Sequence, residues 1–163
     1  MRRQRQDHLF QKWLDEHKGI ILKVVRAFSA DPEEQDDLFQ DIVIQLWMAV
    51  SSYRGKAKPA TWIYRVAMNR ALTWRRGEER EHHRRDQVLE WPTSEQPDDG
   101  HADQLEQLYA EIRQLPPLDR SLVLLHLDGF SHREIADTVG LTENNVGVRL
   151  SRCRKRLAEK LRD

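Results

Sequence analysis

Cysteine and long apolar runs are nearly missing from this sequence of 163 residues. The single cysteine, Cys153, excludes an internal disulfide framework and a cysteine-based zinc site. No run approaches the roughly 18 apolar residues that span a bilayer. The basic start at Met1 has no apolar stretch behind it, unlike a secretory signal. We therefore expect a cytoplasmic protein without membrane insertion.

Net charge is also absent, since 27 basic residues balance 27 acidic ones, and this balance argues against a nucleic-acid partner. The distribution of the charges reverses that impression. Residues 31–50 and 81–111 are strongly acidic, and the first of these blocks contains no base at all. Residues 51–80 and 141–163 are strongly basic. Alternating blocks of opposite charge predict more than one kind of partner.

Helical periodicity dominates the chain, and no stretch alternates convincingly as a strand. Proline, glycine and acidic residues interrupt the pattern between Gly77 and Ala102, which predicts a linker. The predicted fold is all-α, with two small helical domains at 1–78 and 103–163 joined by a flexible acidic linker at 79–102. Predicted helices cover about 6–29, 32–49, 61–76, 103–115, 118–127, 131–139 and 142–161.

The first domain contains a clear helix start at Asp31, which can N-cap a helix with Pro32 at its first position. The predicted core side chains of this helix are Leu38, Ile42, Leu46 and Ala49, with Phe39, Val43 and Trp47 widening the apolar stripe. The residues from 51 to 59 contain Gly55 and Pro59 and predict a basic loop.

The second domain contains the strongest local signal. Ser131 and Glu134 have the spacing of a capping box, Gly140 can end the short helix, and Thr142 can cap the next one. A helix, a tight turn with glycine and a second helix form the helix-turn-helix arrangement, in which the second helix enters the major groove of DNA.

The second helix of this motif has one apolar face, made of Val146, Leu150, Cys153, Leu157 and Leu161. Asn145, Arg149, Arg152 and Arg156 share one flank, and Ser151 and Lys155 lie opposite the core. Arginine and asparagine can contact base edges as well as phosphates. The alternative is a solvated basic helix. Because Cys153 lies on the apolar face, we expect a structural thiol and not a reactive one.

Another constellation covers residues 36–47, 52–55 and 61–70, where aromatic residues alternate with Arg, Lys and Asn. Exposed bases of single-stranded DNA stack on aromatic rings, and its phosphates need cations. For any one of Trp47, Trp62 and Trp74, however, packing in a core is the simpler explanation.

These motifs resemble those of the extracytoplasmic-function (ECF) sigma factors, the minimal form of the sigma-70 family. Residues 31–76 resemble region two, through Asp-Asp-Leu at 36–38, Tyr-Arg-Gly at 53–55 and Thr-Trp-Ile-Tyr-Arg at 61–65. Residues 105–157 resemble region four, through Leu-Asp-Gly-Phe-Ser at 127–131 and Arg-Leu-Ser-Arg-Cys-Arg at 149–154. Both regions occur in order with a linker between them.

The resemblance implies a function in which core RNA polymerase is directed to promoters by two DNA-reading modules. The acidic helix would bind core polymerase through Asp36, Asp37, Gln40, Asp41 and Gln45. The −10 element would be melted and read by Arg54, Lys56, Lys58, Thr61, Trp62, Arg65, Asn69 and Arg70. The −35 element would be read by Thr142, Asn144, Asn145, Arg149, Ser151, Arg152, Lys155 and Arg156. An anti-sigma factor is a further implied partner.

One position departs from the family's pattern. Members often carry a Lys or Arg where Gly147 stands, and a small polar residue where Val148 stands. The missing cation puts in doubt a DNA contact there and points to an unusual −35 preference, carried by Asn144, Asn145, Arg149 and Ser151.

Two other classes of protein remain open on the residues alone. A stand-alone helix-turn-helix regulator would bind duplex DNA stably without polymerase, and a purely protein-binding helical module would leave no footprint on DNA. An enzyme would need a site, but the sequence has no HExxH motif, phosphate loop or carboxylate pair at catalytic spacing. We therefore expect no catalytic residues, no metal and no cofactor.

Overall fold

The protein is described by a computed structural model over residues 1–78 and 102–162. Within these ranges the chain forms helices and no strand, as the sequence predicts. The helices are α1 (Arg2–Phe28), α2 (Pro32–Ala49), α3 (Pro59–Glu78), α4 (Ala102–Arg113), α5 (Pro117–Leu127), α6 (His132–Val139) and α7 (Glu143–Leu161). The predicted linker at 79–102 lies outside the described residues apart from Ala102, the first residue of α4.

The N-terminal unit, α1 to α3, packs its three helices against one another. Asp31 caps α2 as predicted, because its carboxylate accepts a hydrogen bond from the backbone N–H of Glu33 at 3.1 Å. α3 begins at Pro59, slightly earlier than predicted, because proline fits the first turn of a helix. The core of the unit includes Ile21, Val24, Leu38, Ile42 and Ile63.

The C-terminal unit, α4 to α7, contains the predicted helix-turn-helix in α6 and α7. Ser131 Oγ accepts from the N–H of Glu134 while the Glu134 carboxylate accepts from the N–H of Ser131, each at 3.1 Å, so the capping box is complete. Gly140 then ends α6 at φ +79°, a left-handed conformation that favours glycine. Thr142 caps α7 by accepting from the N–H of Asn145 at 3.1 Å.

The two units pack against each other, which the sequence did not predict. α1 contacts α4 and α5, and α3 contacts α6. Arg120 is buried at this interface, with 2% of its surface exposed. Its guanidinium donates to the backbone oxygens of Leu115 at 2.8 Å and Ala27 at 3.5 Å, and it lies over the ring of Phe28. Ala27 belongs to the N-terminal unit, so this hydrogen bond from a buried cation helps to hold the two units together.

Candidate nucleic-acid interface

The outward face of α2 is acidic in its first turns. Leu38, Ile42 and Leu46 bury the opposite face, so Asp37 is exposed and Asp36 and Gln40 are half-exposed. Partial burial, followed by the nearby carboxylates of Asp36 and the first turn of α2, raises the pKa of Asp37. The acids thus repel one another, and a basic partner surface would relieve that repulsion.

Asp41, predicted on the same face, has a basic partner in the structure. Nε of Arg70 in α3 donates to its carboxylate at 2.6 Å. A residue predicted to bind polymerase and one predicted to bind the −10 element therefore pair with each other. The sequence could not show this pair, because the two residues meet only through the packing of α2 on α3.

The last turns of the outward face are apolar. Trp47 is 40% exposed, with its ring edge-on to Phe10 at 5.2 Å, so the prediction that it widens the core stripe is wrong. Ala49, predicted in the core, is only half-buried. Sequence reasoning assigned no role to Ile44 and Met48, which are 53% and 65% exposed. Ile44 and Met48 lie four and eight residues after Gln40, so they share its outward face of α2. This spacing could have been recognised in the sequence.

Between α2 and α3 the chain forms a basic loop held by aromatic packing. The rings of Trp13, Tyr53 and Trp62 pack edge-on or tilted against one another, with centroids 4.8 to 5.6 Å apart. The Tyr53 hydroxyl donates to the backbone oxygen of Ala57 at 2.6 Å, which closes the loop. Trp62, predicted to contact the −10 element, is therefore engaged in packing.

This loop holds three cations outward. Arg54, Lys56 and Lys58 are exposed. Neither Arg54 nor Lys56 makes a hydrogen bond or ion pair with the described residues. Lys58 lies close enough to Glu134 to contribute to lowering its pKa, although the hydrogen bonds to Ser131 lower that pKa more. The loop is thus a positive surface with little internal neutralisation.

The predicted −10 residues of α3 differ in their surroundings. Asn69 is exposed, whereas Thr61 is half-buried in the first turn. Arg65 points toward the C-terminal unit, where it donates to the backbone oxygens of Thr138 at 3.4 Å and Asp137 at 3.3 Å. Only Asn69 among these three is fully available to a partner in this arrangement.

The predicted −35 residues divide into two groups on α7. Asn144, Ser151, Arg152 and Lys155 are exposed opposite the buried side chains of Val146, Leu150 and Cys153. Burial raises the pKa of the Cys153 thiol, in line with a structural thiol. Arg152 and Lys155 make no hydrogen bond or ion pair in the described part of the chain.

Arg149 and Arg156 belong to the second group. Arg149 Nη1 donates to Asp119 of α5 at 2.9 Å, and its Nε donates to Asn145 at 3.3 Å. Arg156 donates to the backbone oxygen of Gln114 at 3.4 Å. These side chains reach back to α5 and to the turn before it, so part of the flank that the sequence predicts as a DNA surface makes contacts within the unit.

The described residues contain neither a metal-binding group nor a membrane-spanning helix. Among residues 1–78 and 102–162, no three His, Cys, Asp or Glu side chains lie together as a metal site. None of the helices described is long and apolar enough to cross a membrane.

Comparison with known proteins identifies the family of the chain. The model of sigma-70 region 2 matches residues 13–81, and that of sigma-70 region 4 matches residues 105–157. The chain belongs to the sigma-70 family. The two matches place α2, the basic loop and α3 in region 2, and the helix-turn-helix in region 4.

Relatives of this sigma factor include proteins named as ECF sigma factors. The ECF RNA polymerase sigma factor RpoE of Cereibacter sphaeroides is 26% identical over 157 residues, covering 93% of this chain and 83% of that protein. RNA polymerase sigma-H factor of Pseudomonas aeruginosa is 29% identical over 161 residues, covering 90% of this chain and 81% of that protein. This sigma factor is therefore of the ECF type, as the sequence motifs predict.

A solved structure has the same fold. The sigma factor RpoE of Bartonella quintana, in complex with the anti-sigma factor NepR, has a TM-score of 0.71 at 21% identity. The match covers 94% of this sigma factor and 96% of that chain.

Proposed function

We propose that this ECF sigma factor binds core RNA polymerase through the outward face of α2, opens and reads the −10 element through the basic loop and α3, and reads the −35 duplex through α7. The observation that carries this proposal is the separation of charge. The exposed start of α2 carries acids, while the loop and the outward side of α7 carry exposed cations that make no ion pair among the described residues. An acidic face repels DNA phosphates and attracts a basic protein surface, so the two kinds of surface serve two kinds of partner.

The −10 role rests on the exposed Asn69 beside the cations at 54–58. Reading a base there requires that it leave the stack, which costs a few kcal/mol. Binding to polymerase and stacking on aromatic rings supply that free energy. Arg65 joins this surface only when it leaves the carbonyl groups of α6, so we propose that the units separate on promoter DNA.

Separation also follows from the distance between the two DNA elements. Two turns of duplex span about 68 Å, at about 34 Å per turn. The chain segment at 79–102 is long enough, at about 3.3 Å per residue, to reach across such a distance. We accordingly assign 1–78 to the polymerase and −10 module, 79–102 to the connection and 103–163 to the −35 module.

The proposed function also includes a cellular location and an inhibitory partner. The chain acts as a cytoplasmic initiation factor and not as an enzyme, since no catalytic constellation occurs in its sequence. The similar sigma factor of Bartonella quintana was solved with an anti-sigma factor. We extend a partner of that kind to this chain.

A pre-melted template separates the two modules. Arg152→Ala should lose selectivity for the −35 sequence on duplex promoters, yet transcribe a pre-melted bubble as well as the wild type when core polymerase is saturating. Loss of transcription on both templates would show that the modules do not act separately and would contradict the proposal.

A further inference from the structure

The outward side of α7 has a gap at Gly147, and the imidazole of His132 lies beside this gap. A Cβ atom at position 147 would stand 3.6 Å from Nδ1 and 3.8 Å from Cε1 of His132, an ordinary van der Waals distance. A ring from the start of α6 thus lies against α7 at a position that has no side chain of its own.

His132 and Gly147 border a shallow open groove between α6 and α7. Asn144, Ser151 and Arg152, three residues of the proposed −35 surface, border the same groove. His132 is exposed, so its ring is available to whatever molecule contacts those three side chains. The surface that faces the −35 duplex therefore includes a residue of the first helix of the motif.

A second imidazole and a guanidinium lie near the His132 ring. His126 lies 6.2 Å away between ring centroids, and Nη2 of Arg154 is 2.5 Å from Nε2 of His126. Burial, followed by the charges of Arg154 and His132, lowers the pKa of His126. Glu143 also borders the groove, but it lies in the first turn of α7, where a carboxylate stabilises the helix.

The docking geometry of the motif identifies the ligand. When the second helix lies in the major groove, the first helix crosses the sugar-phosphate backbone. His132 is the first residue of that helix. A neutral imidazole donates a hydrogen bond from one ring nitrogen and an imidazolium from both, so the ring can bind a phosphate oxygen in either state.

We propose that His132 donates a hydrogen bond to a phosphate oxygen of the −35 duplex, and thereby supplies from α6 a contact that Gly147, which has no side chain, cannot make from α7. The inference rests on the proposed −35 role of α7. A phosphate contact carries no sequence information, so its loss weakens binding to all −35 sequences alike.

The test measures the affinity of the sigma–core complex for duplex promoters that differ only in the −35 sequence. His132→Ala should weaken binding about fivefold on every sequence, the size expected for one hydrogen bond. His132→Gln, which keeps a donor, should recover most of the loss. His8→Ala, which removes an exposed histidine of α1, is the matched control and should bind as the wild type does.

Two results would overturn the inference. One is a His132→Ala complex that binds like the His8→Ala control, and the other is a loss confined to particular −35 bases, which would indicate a base contact. Lys155→Ala and Arg152→Ala test separately whether α7 binds the −35 duplex. If they weaken binding while His132→Ala does not, only the role of His132 fails; if none of the three weakens it, the −35 role of α7 fails as well.

Discussion

The hydroxyl of Tyr64 in α3 donates a hydrogen bond to the carboxylate of Asp128, just after α5. Tyr64 is fully buried, partly beneath the ring of Phe130, which meets it edge-on at 5.6 Å. Burial, followed by the bond to Asp128, raises the pKa of the Tyr64 hydroxyl far above its ordinary value. Nζ of Lys23 in α1 donates to the same carboxylate at 2.5 Å. One carboxylate thus joins the C-terminal unit to two helices of the N-terminal unit.

Removing this carboxylate should loosen the contact between the units. Asp128→Ala leaves the buried Tyr64 hydroxyl without its acceptor, which costs about 1–3 kcal/mol. We expect a larger radius of gyration in small-angle X-ray scattering of the free protein. Asp137→Ala is the matched control, because only the backbone oxygen of Asp137 contacts the other unit. Identical scattering from both variants would contradict the role of Asp128.

The sequence predicted local structure better than it predicted contacts between side chains that are distant in the chain. The cap at Asp31, the capping box at Ser131 and the turn at Gly140 depend on residues within a few positions, so the pattern alone reveals them. The buried Arg120 and the shared carboxylate of Asp128 depend on residues about 60 to 100 positions apart. Such contacts follow from tertiary packing, which periodicity does not encode.

At the candidate site, too, periodicity predicted which way side chains face but not which residues they contact. Periodicity correctly placed Ser151 and Lys155 opposite the core of α7. It could not show that Arg149 pairs with α5, because the spacing of α7 contains no information about its neighbours. The roles of all these residues toward polymerase and DNA stay predictions.

Charge reversal on α2 should prevent association with core polymerase. Asp37 is exposed and makes no ion pair in the described residues, so Asp37→Arg should leave the fold intact while it places like charges across the interface. The measurement is co-purification with core polymerase. Asp7→Arg, an exposed acid of α1, is the control and should co-purify normally.

Asp41→Arg should behave differently from Asp37→Arg, because it places a cation beside Arg70. We expect a lower melting temperature in addition to weaker association. Unchanged co-purification of Asp37→Arg would remove α2 as the polymerase surface, whatever Asp41→Arg shows.

Two arginines of α7, Arg149 and Arg152, should also differ in the effect of their replacement. Arg149→Ala breaks the ion pair with Asp119. Because this ion pair is partly exposed, its loss should lower the free energy of unfolding by about 1 kcal/mol or less. Arg152→Ala should leave thermal stability unchanged and weaken −35 recognition by about 1–3 kcal/mol if the arginine contacts a guanine. Denaturant unfolding and promoter binding of both variants check this; a destabilised Arg152→Ala would contradict the division.

Asn69→Ala should impair melting of the −10 element more than initial binding, because the exposed amide is assigned to an unpaired base. Permanganate reactivity of melted thymines, compared at equal promoter occupancy, measures the effect. Thr73→Ala is a control one turn along α3, since its hydroxyl bonds only to the backbone oxygen of Asn69 at 2.9 Å. Normal melting with reduced occupancy would instead assign Asn69 to binding or packing.

Transcription by purified core polymerase on a randomised promoter library tests the central claim most directly. With this sigma factor added, the account predicts start sites that share a −10 and a −35 motif at a fixed separation of about two helical turns. Start sites that match those of core polymerase alone, or that share no such pair of motifs, would contradict it.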